Sequence, residues 1–302
     1  MMRLLYVLFD AIIFMASIIF LGTGGGRINL IRQLRGTGGF LIISKNLKIA
    51  IDPGPGALGA LNSARLNPSL LDAIIITHCH IDHLLEAPLL IEAMSNYMLK
   101  KGGTLISPPS VVDGDENGDK SITTYHQSKL NQNIRLSAGE KKKIEIEKKG
   151  KKHLFSLEGV KVKHDDKKGF GFILEIDGKK ISYTSDTEYL PAIHGKAYSG
   201  TDILIANLLK PAEDGIPDHL CTKGLISLLN SSNPKPKICL LTHMGMKLLR
   251  KNPELEASFI EKQAGVRTIA ARDGWEYNID NNSWGRYKKK KIQKKSKQKK
   301  LL

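Results

Sequence analysis

Six consecutive residues bring together three imidazoles and one carboxylate: His78-Cys79-His80-Ile81-Asp82-His83. These groups are the usual protein ligands of zinc and of neighbouring divalent metals. The run follows the apolar residues Ile74–Thr77, which predict a buried strand, so His78 and His80 lie two apart and point the same way. The three imidazoles would repel one another as cations, and as neutral groups they would be buried polar rings without partners, so the run predicts a metal site. Cys79 has the opposite parity and is predicted to point away from it.

The same arrangement recurs at other strand ends. The runs Ile181–Ser185 and Cys239–Thr242 are short and mostly apolar, and each ends in a hydroxyl residue that is followed at once by a residue of ligand type. A further candidate follows the predicted strand Val160–Lys163. In sheets covered by helices, sites form at one end of the strands, where the loops converge. The sequence therefore predicts that three more residues join the same site: His164, Asp186 and His243.

The chain that must position these residues has 302 residues, of which 41% are hydrophobic and 25% are charged. This composition supports a packed core and excludes collagen-like, coiled-coil and multi-span membrane classes. Three scattered cysteines are too few for a disulfide framework, which indicates a reducing compartment and a cytoplasmic protein. Short β-branched runs alternate with amphipathic stretches, as expected of an α/β domain.

Secondary structure follows from the hydrophobic periodicity. Strands are predicted at Ser17–Leu21, Phe40–Ile43, Lys48–Ile51, Ile74–Thr77, Val160–Lys163, Gly171–Ile176, Lys180–Thr184, Asp202–Ala206, Ile238–Leu241, Val266–Ala270 and Trp275–Ile279. Helical spacing occurs at Leu84–Lys100, where Pro88 interrupts it near its start, and at Thr222–Leu229 and Glu254–Ala264. Residues 110–152 are polar, rich in glycine and lysine and poorly periodic, and are predicted to be an insertion or excursion and not a second domain.

A glycine cluster, residues 22–26, follows the first predicted strand. It does not complete the G-x-G-x-x-G fingerprint of dinucleotide-binding folds, because position 27 is arginine. It is instead predicted to form a tight strand exit with a close approach between backbone segments.

The His-x-His-x-Asp-His run, followed by separate His, Asp and His residues on later strand ends, resembles the metallo-β-lactamase superfamily over about residues 17–280. The resemblance implies an α/β fold, an αββα sandwich of two mixed β-sheets flanked by helices, with two metal ions at the edge of the sheets. It implies that one metal is held by His78, His80 and His164. It also implies that the other is held by Asp82, His83 and His243, with Asp186 as the bridge.

Within that superfamily, the run Gly169–Thr187 and the motif His219-Leu-Cys-Thr222 resemble the ribonuclease Z and phosphodiesterase branch. True β-lactamases of this fold commonly carry cysteine where this chain has Asp186, so antibiotic hydrolysis is not expected. Two departures distinguish the chain from ribonuclease Z. Only 21 residues separate His164 from Asp186, which leaves no room for a protruding tRNA-binding arm, and Asn207-Leu-Leu-Lys-Pro211 replaces the His-Glu-Ala-Thr motif.

The resemblance implies a hydrolase in which two divalent ions, about 3.5–4 Å apart, share a hydroxide that attacks phosphorus or a carbonyl carbon. The ions are expected to be Zn²⁺, with Mn²⁺ or Fe²⁺ as alternatives. Asp82 is expected to orient the hydroxide as well as bind metal. Asp52 either accepts an N–H from a ligand imidazole or begins a turn before proline. His219 either protonates the leaving group, binds a phosphate oxygen, or caps the following helix.

The formal net charge is +16, and nine lysines without an acid lie within residues 288–300. We predict an apolar N-terminal extension at 1–16, a hydrolase domain at 17–287 and a disordered lysine-rich tail at 288–302. The tail either binds polyanions, as nucleic acid or anionic lipid, or is only a solvated charge run. Membrane association is not expected; the alternative is an anchor formed by the apolar N-terminal segment. The sequence leaves homo-oligomerisation open.

The leading function is therefore a binuclear hydrolase acting on an anionic phosphodiester, either a nucleotide or a nucleic acid. The same ligand set also fits a thioester, ester or lactone hydrolase. A third interpretation is a nucleic-acid-associated accessory protein with structural metal, although a structural zinc needs four ligands and this chain offers seven. Three further histidines lie in polar contexts and are expected to be solvated: His126, His153 and His194.

Overall fold

The computed structural model describes residues 16–211 and 217–288. Its first layer of β-structure is an eight-stranded mixed sheet in the order β15-β14-β1-β2-β3-β4-β5-β6. Its strands are β1 (Ser17–Phe20), β2 (Phe40–Ile43), β3 (Lys48–Ile51), β4 (Ala73–Ile75), β5 (Thr104–Ser107), β6 (Gln132–Arg135), β14 (Trp275–Asn278) and β15 (Ser283–Arg286). Strands β3 to β6 are parallel, so their carboxyl ends lie at one edge of the sheet.

The second layer is a seven-stranded mixed sheet in the order β13-β12-β11-β10-β9-β8-β7. Its strands are β7 (Lys141–Lys148), β8 (Lys151–Lys161), β9 (Phe170–Ile176), β10 (Lys179–Tyr183), β11 (Ile203–Asn207), β12 (Ile238–Thr242) and β13 (Arg267–Ala270). Strands β10 to β13 are parallel, and β9 and β10 form an antiparallel hairpin around Asp177 and Gly178.

Helices cover the outer face of both sheets. They are α1 (Gly26–Arg32), α2 (Ala57–Ser63), α3 (Ile81–Leu84), α4 (Ala87–Met94), α5 (Pro109–Val112), α6 (Thr124–Ser128), α7 (His194–Ala197), α8 (Thr222–Ser231), α9 (Met246–Lys251) and α10 (Pro253–Ala264), with a 3₁₀ turn at Pro68–Leu70. One apolar cluster fills the space between the sheets, and two others lie between each sheet and its helices. These layers confirm the predicted αββα sandwich.

Two predictions about the elements were wrong. The helical stretch predicted at Leu84–Lys100 is interrupted near Pro88 as expected, where two short helices meet, but it ends at Met94 and not at Lys100. Residues 110–152 are not an excursion from the fold, because β6 extends the first sheet and the β7–β8 hairpin extends the second. Strand β8 therefore begins at Lys151, whereas the sequence predicted a strand only from Val160.

The predicted extension lies outside the described residues except for Ala16, and the predicted tail does so except for Lys288. Among residues 16–211 and 217–288, no helix has the length and apolar character needed to cross a bilayer.

Candidate metal centre

The site lies where the parallel strands of both sheets end. The segment that starts with His78 follows β4, Asp186 follows β10 and His243 follows β12 directly. Asp52, which follows β3, and His243 both have positive φ, at 46° and 53°. Such left-handed backbone is uncommon outside glycine and clusters at functional sites, where the chain turns sharply to aim a side chain.

The predicted close approach of the glycine cluster is confirmed here. A Cβ atom placed on Gly25 would lie 2.2 Å from Nδ1 of His243, and one on Gly22 would lie 2.3 Å from the backbone nitrogen of Gly38. Glycine is therefore required at both positions, because any side chain would displace the His243 ring or the neighbouring backbone.

His78, His80 and His164 form the first ligand cluster, with one donor atom of each within 4.8 Å of the others. Nε2 of His164 lies 3.0 Å from Nδ1 of His80. Nε2 of His78 is buried and has no hydrogen-bond partner among the described residues. A buried polar atom without a partner is costly, and a metal ion at the point where these nitrogens converge would satisfy it.

Asp82, His83 and His243 form the second ligand cluster on the same distance criterion. Nε2 of His243 lies 3.1 Å from Nε2 of His83 and 3.3 Å from Oδ2 of Asp82. All three side chains are largely shielded from solvent. The donor set, two imidazoles and one carboxylate, is the type that divalent metals prefer.

Asp186 stands between the clusters and is buried. Its Oδ2 atom lies 3.4 Å from Nε2 of both His83 and His243, in the second cluster. A carboxylate oxygen of Asp186 also lies within 4.8 Å of a donor atom of His164, which belongs to the first cluster, and of a donor atom of His219. One carboxylate therefore reaches both groups of ligands.

His219 lies beside Asp186, at the solvent-facing opening of the site, as expected from the sequence. Its Nε2 lies 3.3 Å from Oδ2 of Asp186, and its Nδ1–H donates to the carbonyl of Pro217 at 3.2 Å. Its side chain is 22% exposed, against 3% for Asp186. It does not cap the following helix, whose N-cap is Cys221.

Asp52 accepts a hydrogen bond from the ligand imidazole His83, whose Nδ1 lies 2.9 Å from Oδ2. Its other donors are the backbone N–H of Thr77 at 2.8 Å, the Thr77 hydroxyl at 2.7 Å and the Tyr183 hydroxyl at 3.1 Å. Of the two interpretations of Asp52, its geometry fits the carboxylate that orients a ligand ring and leaves Nε2 of His83 facing the cluster.

Asn207 is a site residue that the sequence analysis did not identify. It is buried at the end of β11, and its Nδ2 donates to Oδ1 of Asp186 at 2.6 Å and to the Tyr183 hydroxyl at 3.0 Å. A polar chain thus links Asp186, Asn207, Tyr183 and Asp52. The signal that could have found Asn207 is the one used for Asp186, a polar residue directly at the end of a buried strand.

Burial and neighbouring charges act differently on the members of this donor set. Burial alone would lower the pKa of His83, but the charges of Asp186, Asp82 and Asp52 raise it well above the usual range. Burial opposes ionisation of Asp186, yet the imidazoles around it hold its pKa well below normal. Burial, and next the charge of His83, lowers the pKa of His78, which favours the neutral ring that binds metal.

Cys79 lies outside the site, as its parity predicted. It packs against the core beneath α3 and α4, and burial followed by the charge of Asp166 raises its pKa to about 12. Asp166, also missed by the sequence analysis, accepts from the backbone N–H of Cys79 at 3.0 Å and from the Ser110 hydroxyl at 2.6 Å. These bonds fix the loop between His78 and His80.

The expectation for the remaining histidines was partly wrong. His126 and His153 are partly exposed, but His194 is fully buried. Its Nε2–H donates to the carbonyl of Lys161 at 3.0 Å, and its Nδ1 accepts from the backbone N–H of Leu190 at 3.2 Å. Two local backbone partners thus allow this polar ring to be buried away from the site.

Comparison with known proteins extends these findings. A family model for the β-lactamase superfamily domain matches residues 48–244. An uncharacterized protein of Methanocaldococcus jannaschii is 37% identical over 272 residues, which cover 90% of this chain and 97% of that protein. The ribonuclease Z of Thermococcus kodakarensis is 27% identical over 315 residues, which cover 89% of this chain and 97% of that protein.

The crystal structure of YhfI from Bacillus subtilis, a metallo-β-lactamase fold protein, matches with a TM-score of 0.68 at 16% identity. The match covers 87% of this chain and 98% of that chain. At this identity the likeness bears on the fold alone. The stretch matched by the family model includes both ligand clusters and Asp186.

Proposed function

This chain belongs to the β-lactamase superfamily and is a metal-dependent hydrolase, and from that premise we propose that it cleaves phosphodiesters at a two-metal centre. The observation that supports two ions is the position of Asp186, whose carboxylate lies against both ligand clusters. A single structural ion needs only four ligands, whereas seven donor residues converge here.

We propose that His78, His80 and His164 hold one ion and that Asp82, His83 and His243 hold the other, with Asp186 shared. Divalent ions so placed, Zn²⁺ being our first choice, would lower the pKa of bound water and neutralise charge that develops on the substrate. Other residues of the chain orient the side chains that would bind the ions. Asp52 fixes the tautomer and plane of His83, and Asn207 holds Oδ1 of Asp186 so that Oδ2 faces the clusters.

Asp82 and His219 are the proposed catalytic side chains. Asp82 is the carboxylate of its cluster and is more exposed than Asp186, at 14% against 3%, and it can accept a hydrogen bond from the attacking nucleophile. His219 stands at the mouth with Nε2 directed at the site, where it can donate a proton to the leaving oxygen.

Two features support a phosphodiester as the substrate. One is the ribonuclease Z relative, which matches along most of both chains. The other is a set of exposed cations on the two helices that begin beside His243, with no carboxylate in either helix: Arg27, Arg32, Lys247, Arg250 and Lys251. None of them has an ion-pair partner in the ranges 16–211 and 217–288. Unpaired cations beside a hydrolytic centre fit an anionic substrate.

We further propose that the lysine-rich segment 288–302 adds affinity for nucleic acid. Nine lysines contact phosphates with little geometric demand, so they supply salt-dependent binding without base specificity. Deleting the segment should leave kcat on a small phosphodiester unchanged. On RNA it should raise KM and flatten the dependence of KM on salt.

The deciding experiment combines metal analysis with a substrate panel. The full chain, loaded with Zn²⁺ or Mn²⁺, should contain two ions and hydrolyse bis(p-nitrophenyl) phosphate faster than a thioester or a lactone. On a dinucleotide, whose leaving alkoxide requires a proton, His219→Ala should lower kcat by about 10²–10⁴-fold with the metal content unchanged, and His126→Ala is the matched control. A single tightly bound ion would refute the binuclear centre, and turnover confined to the thioester or lactone would refute the substrate.

A further inference from the structure

A cleft lies at the end of the sandwich opposite the metal centre. Asp186 and His243 follow the carboxyl ends of β10 and β12, and because β10 to β13 are parallel, their amino ends meet at the opposite end. The turn between β14 and β15, from the first sheet, faces these strand starts across the cleft. The cleft has a volume of about 270 Å³, close to the lower end of the range for small-molecule sites, roughly 300 Å³. It therefore has room for a small ligand.

Three cations border the cleft: Lys179, Lys237 and Arg267. Lys179 and Arg267 are the first residues of β10 and β13, and Lys237 directly precedes β12. In the sheet order β13-β12-β11-β10, with neighbouring strands about 4.8 Å apart, the three backbone positions span roughly 14 Å. Lysine and arginine side chains are long enough to reach one small ligand from both ends of this row.

The two carboxylates that line the cleft are already engaged. Oδ1 of Asp202 accepts from Nζ of Lys237 at 2.6 Å, and its Oδ2 accepts from the backbone N–H of Lys180 at 2.8 Å. Oδ2 of Asp280 accepts from the backbone N–H of Ala16 at 2.9 Å. Of the three cations, these bonds neutralise Lys237 alone.

Lys179 and Arg267 are the cations that remain. Within residues 16–211 and 217–288, Nζ of Lys179 donates no hydrogen bond and forms no salt bridge, although the charge of Asp202 lies nearby. In the same ranges the guanidinium of Arg267 makes one long contact, 3.5 Å from Nη1 to the carbonyl of Asn282. Both side chains are therefore available to a bound anion.

The floor of the cleft is apolar. Ile203, Ile238 and Ile279 line it, and each is buried. At the edge of this floor the hydroxyl of Tyr277 donates to Oδ1 of Asn282 at 2.8 Å, which leaves Nδ2 of Asn282 as a further donor beside the cations. Because a bare counter-ion needs no apolar surface, the arrangement favours a ligand that has a carbon skeleton as well as a charge.

We propose that this cleft binds a small phosphomonoester, with its phosphate held by Arg267 and Lys179 and its carbon skeleton on the isoleucine floor. Arginine presents a planar fork of N–H donors that matches phosphate oxygens, and lysine adds a point charge. A phosphomonoester carries about two negative charges at neutral pH and so engages both cations. A monocarboxylate would leave one of them without a partner.

The cleft is separate from the proposed catalytic site, because none of the residues that line it belongs to either ligand cluster. The two ends of the molecule can therefore be observed independently. Ile203, Ile238 and Ile279 report on the cleft. Ile81, which lies between the ligand residues His80 and Asp82, reports on phosphate that binds at the metal ions.

The test follows the δ1 methyl groups of isoleucine by NMR in the full-length chain loaded with Zn²⁺. Adenosine monophosphate, ribose 5-phosphate, inorganic phosphate and adenosine are added in separate titrations. The signals of Ile203, Ile238 and Ile279 should shift saturably with at least one of the two phosphomonoesters. That ligand should bind at least tenfold more tightly than inorganic phosphate, and adenosine should leave the three signals in place.

Substitution of the cations completes the test. Arg267→Ala and Lys179→Ala should each raise the Kd at the cleft about 10–100-fold, because each removes charge-assisted hydrogen bonds. Arg286→Ala removes the same charge from an exposed position on β15 outside the cleft, and this matched control should leave the Kd unchanged. Turnover of a small phosphodiester should be the same in all three variants.

Three results would overturn the proposal. The first is that the signals of Ile203, Ile238 and Ile279 do not move while that of Ile81 does, which would leave phosphate binding at the metal ions intact. The second is equal affinity for inorganic phosphate and for both phosphomonoesters, which would show that the apolar floor takes no part. The third is an unchanged Kd in both Arg267→Ala and Lys179→Ala.

Discussion

The two ligand clusters differ in charge and in exposure to solvent, although each offers three donor residues. The first consists of three imidazoles, and the side chain of His80 is 32% exposed. The second includes the carboxylate of Asp82, has Asp52 directly behind His83 and is largely closed to solvent. Because a divalent cation is attracted to anionic ligands most strongly where water is excluded, the second cluster should bind its ion more tightly.

The groups that orient the imidazole rings also differ between the clusters, and this difference too favours tighter binding at the second cluster. In the second cluster, the outer nitrogen of His83 meets the buried carboxylate of Asp52 at 2.9 Å. In the first, Nδ1 of His164 meets the peptide carbonyl of Asp218 at 3.0 Å, and Nε2 of His80 is 4.0 Å from the half-exposed carboxylate of Asp165. A carboxylate partner raises the basicity of a ligand ring, so a chelator should remove the two ions in separate steps, the first cluster emptying first.

The largest effect is expected where the two clusters share a ligand. Asp186→Ala should abolish tight binding at both and lower kcat/KM by about 10³-fold or more, because its carboxylate lies against residues of both clusters. Elemental analysis after gel filtration, with chelator competition, measures the change. An Asp186→Ala protein that loses one ion and retains the other at full affinity would contradict the shared role.

A matched pair of carboxylate variants tests the contrast in orientation. Asp52→Asn should weaken binding at the second cluster about 10–100-fold, since the amide can no longer offer the negative oxygen that His83 Nδ1–H requires. Asp165→Asn removes the equivalent charge beside His80 and should change affinity less than about threefold, because that pair is long and solvent-screened. Chelator titrations of both proteins measure the two changes in metal affinity. Equal changes would contradict the proposed difference between the clusters.

Asn207 should act on both clusters, but more weakly than Asp186. Asn207→Leu leaves Oδ1 of Asp186 without its 2.6 Å donor, which should lower affinity at both clusters by about tenfold. Tyr183→Phe is the comparison variant, because it keeps the bond from Asn207 to Asp186 and removes the hydroxyl that contacts Asn207 and Asp52, so its effect should be confined to the second cluster. The visible spectrum of the Co²⁺-substituted protein should change in Asn207→Leu. A change in affinity at one cluster alone would contradict this role.

The ligand residues could be predicted from sequence because local rules determine where they lie. A hydrophobic strand followed at once by a ligand side chain places that side chain at a strand end, and parallel strands bring those ends together. The sequence also resembled the correct superfamily, as the family model and the relatives confirm. Their roles as ligands remain predictions that the metal analysis tests.

What sequence missed depends on contacts between distant segments. Tyr183 has no special spacing, and Asn207 gains its importance from hydrogen bonds to Tyr183 and Asp186 that link strand ends. The β7–β8 hairpin escaped because lysines on its solvent-facing side obscure the alternation, although Ile144 and Ile146 point into the core. A lysine-rich edge strand is polar on its exposed face and resembles a loop by composition.

His194 separates the effect of burial from that of neighbouring carboxylates, and it gives the smallest predicted effect. Like His83 it is buried, but its partners are backbone groups, so burial lowers its pKa whereas the carboxylates raise that of His83. Above the unfolded pKa of about 6.5 both states are neutral. Below it the unfolded chain takes up a proton that the folded chain resists, so His194 makes the unfolding free energy fall as pH decreases.

His194→Gln removes this titration. The variant should be less stable than the unaltered chain at pH 7.5, because Gln cannot keep both backbone hydrogen bonds. As the pH drops to 5, the stability difference between the two proteins should shrink by about 1–2 kcal/mol. Urea unfolding of both proteins in chelator, at both pH values, measures the difference, and the ligand histidines cancel because they are common to both. A stability difference that stays constant or widens at pH 5 would mean that His194 is protonated in the folded state, and that burial without a carboxylate does not suffice to keep an imidazole of this protein neutral.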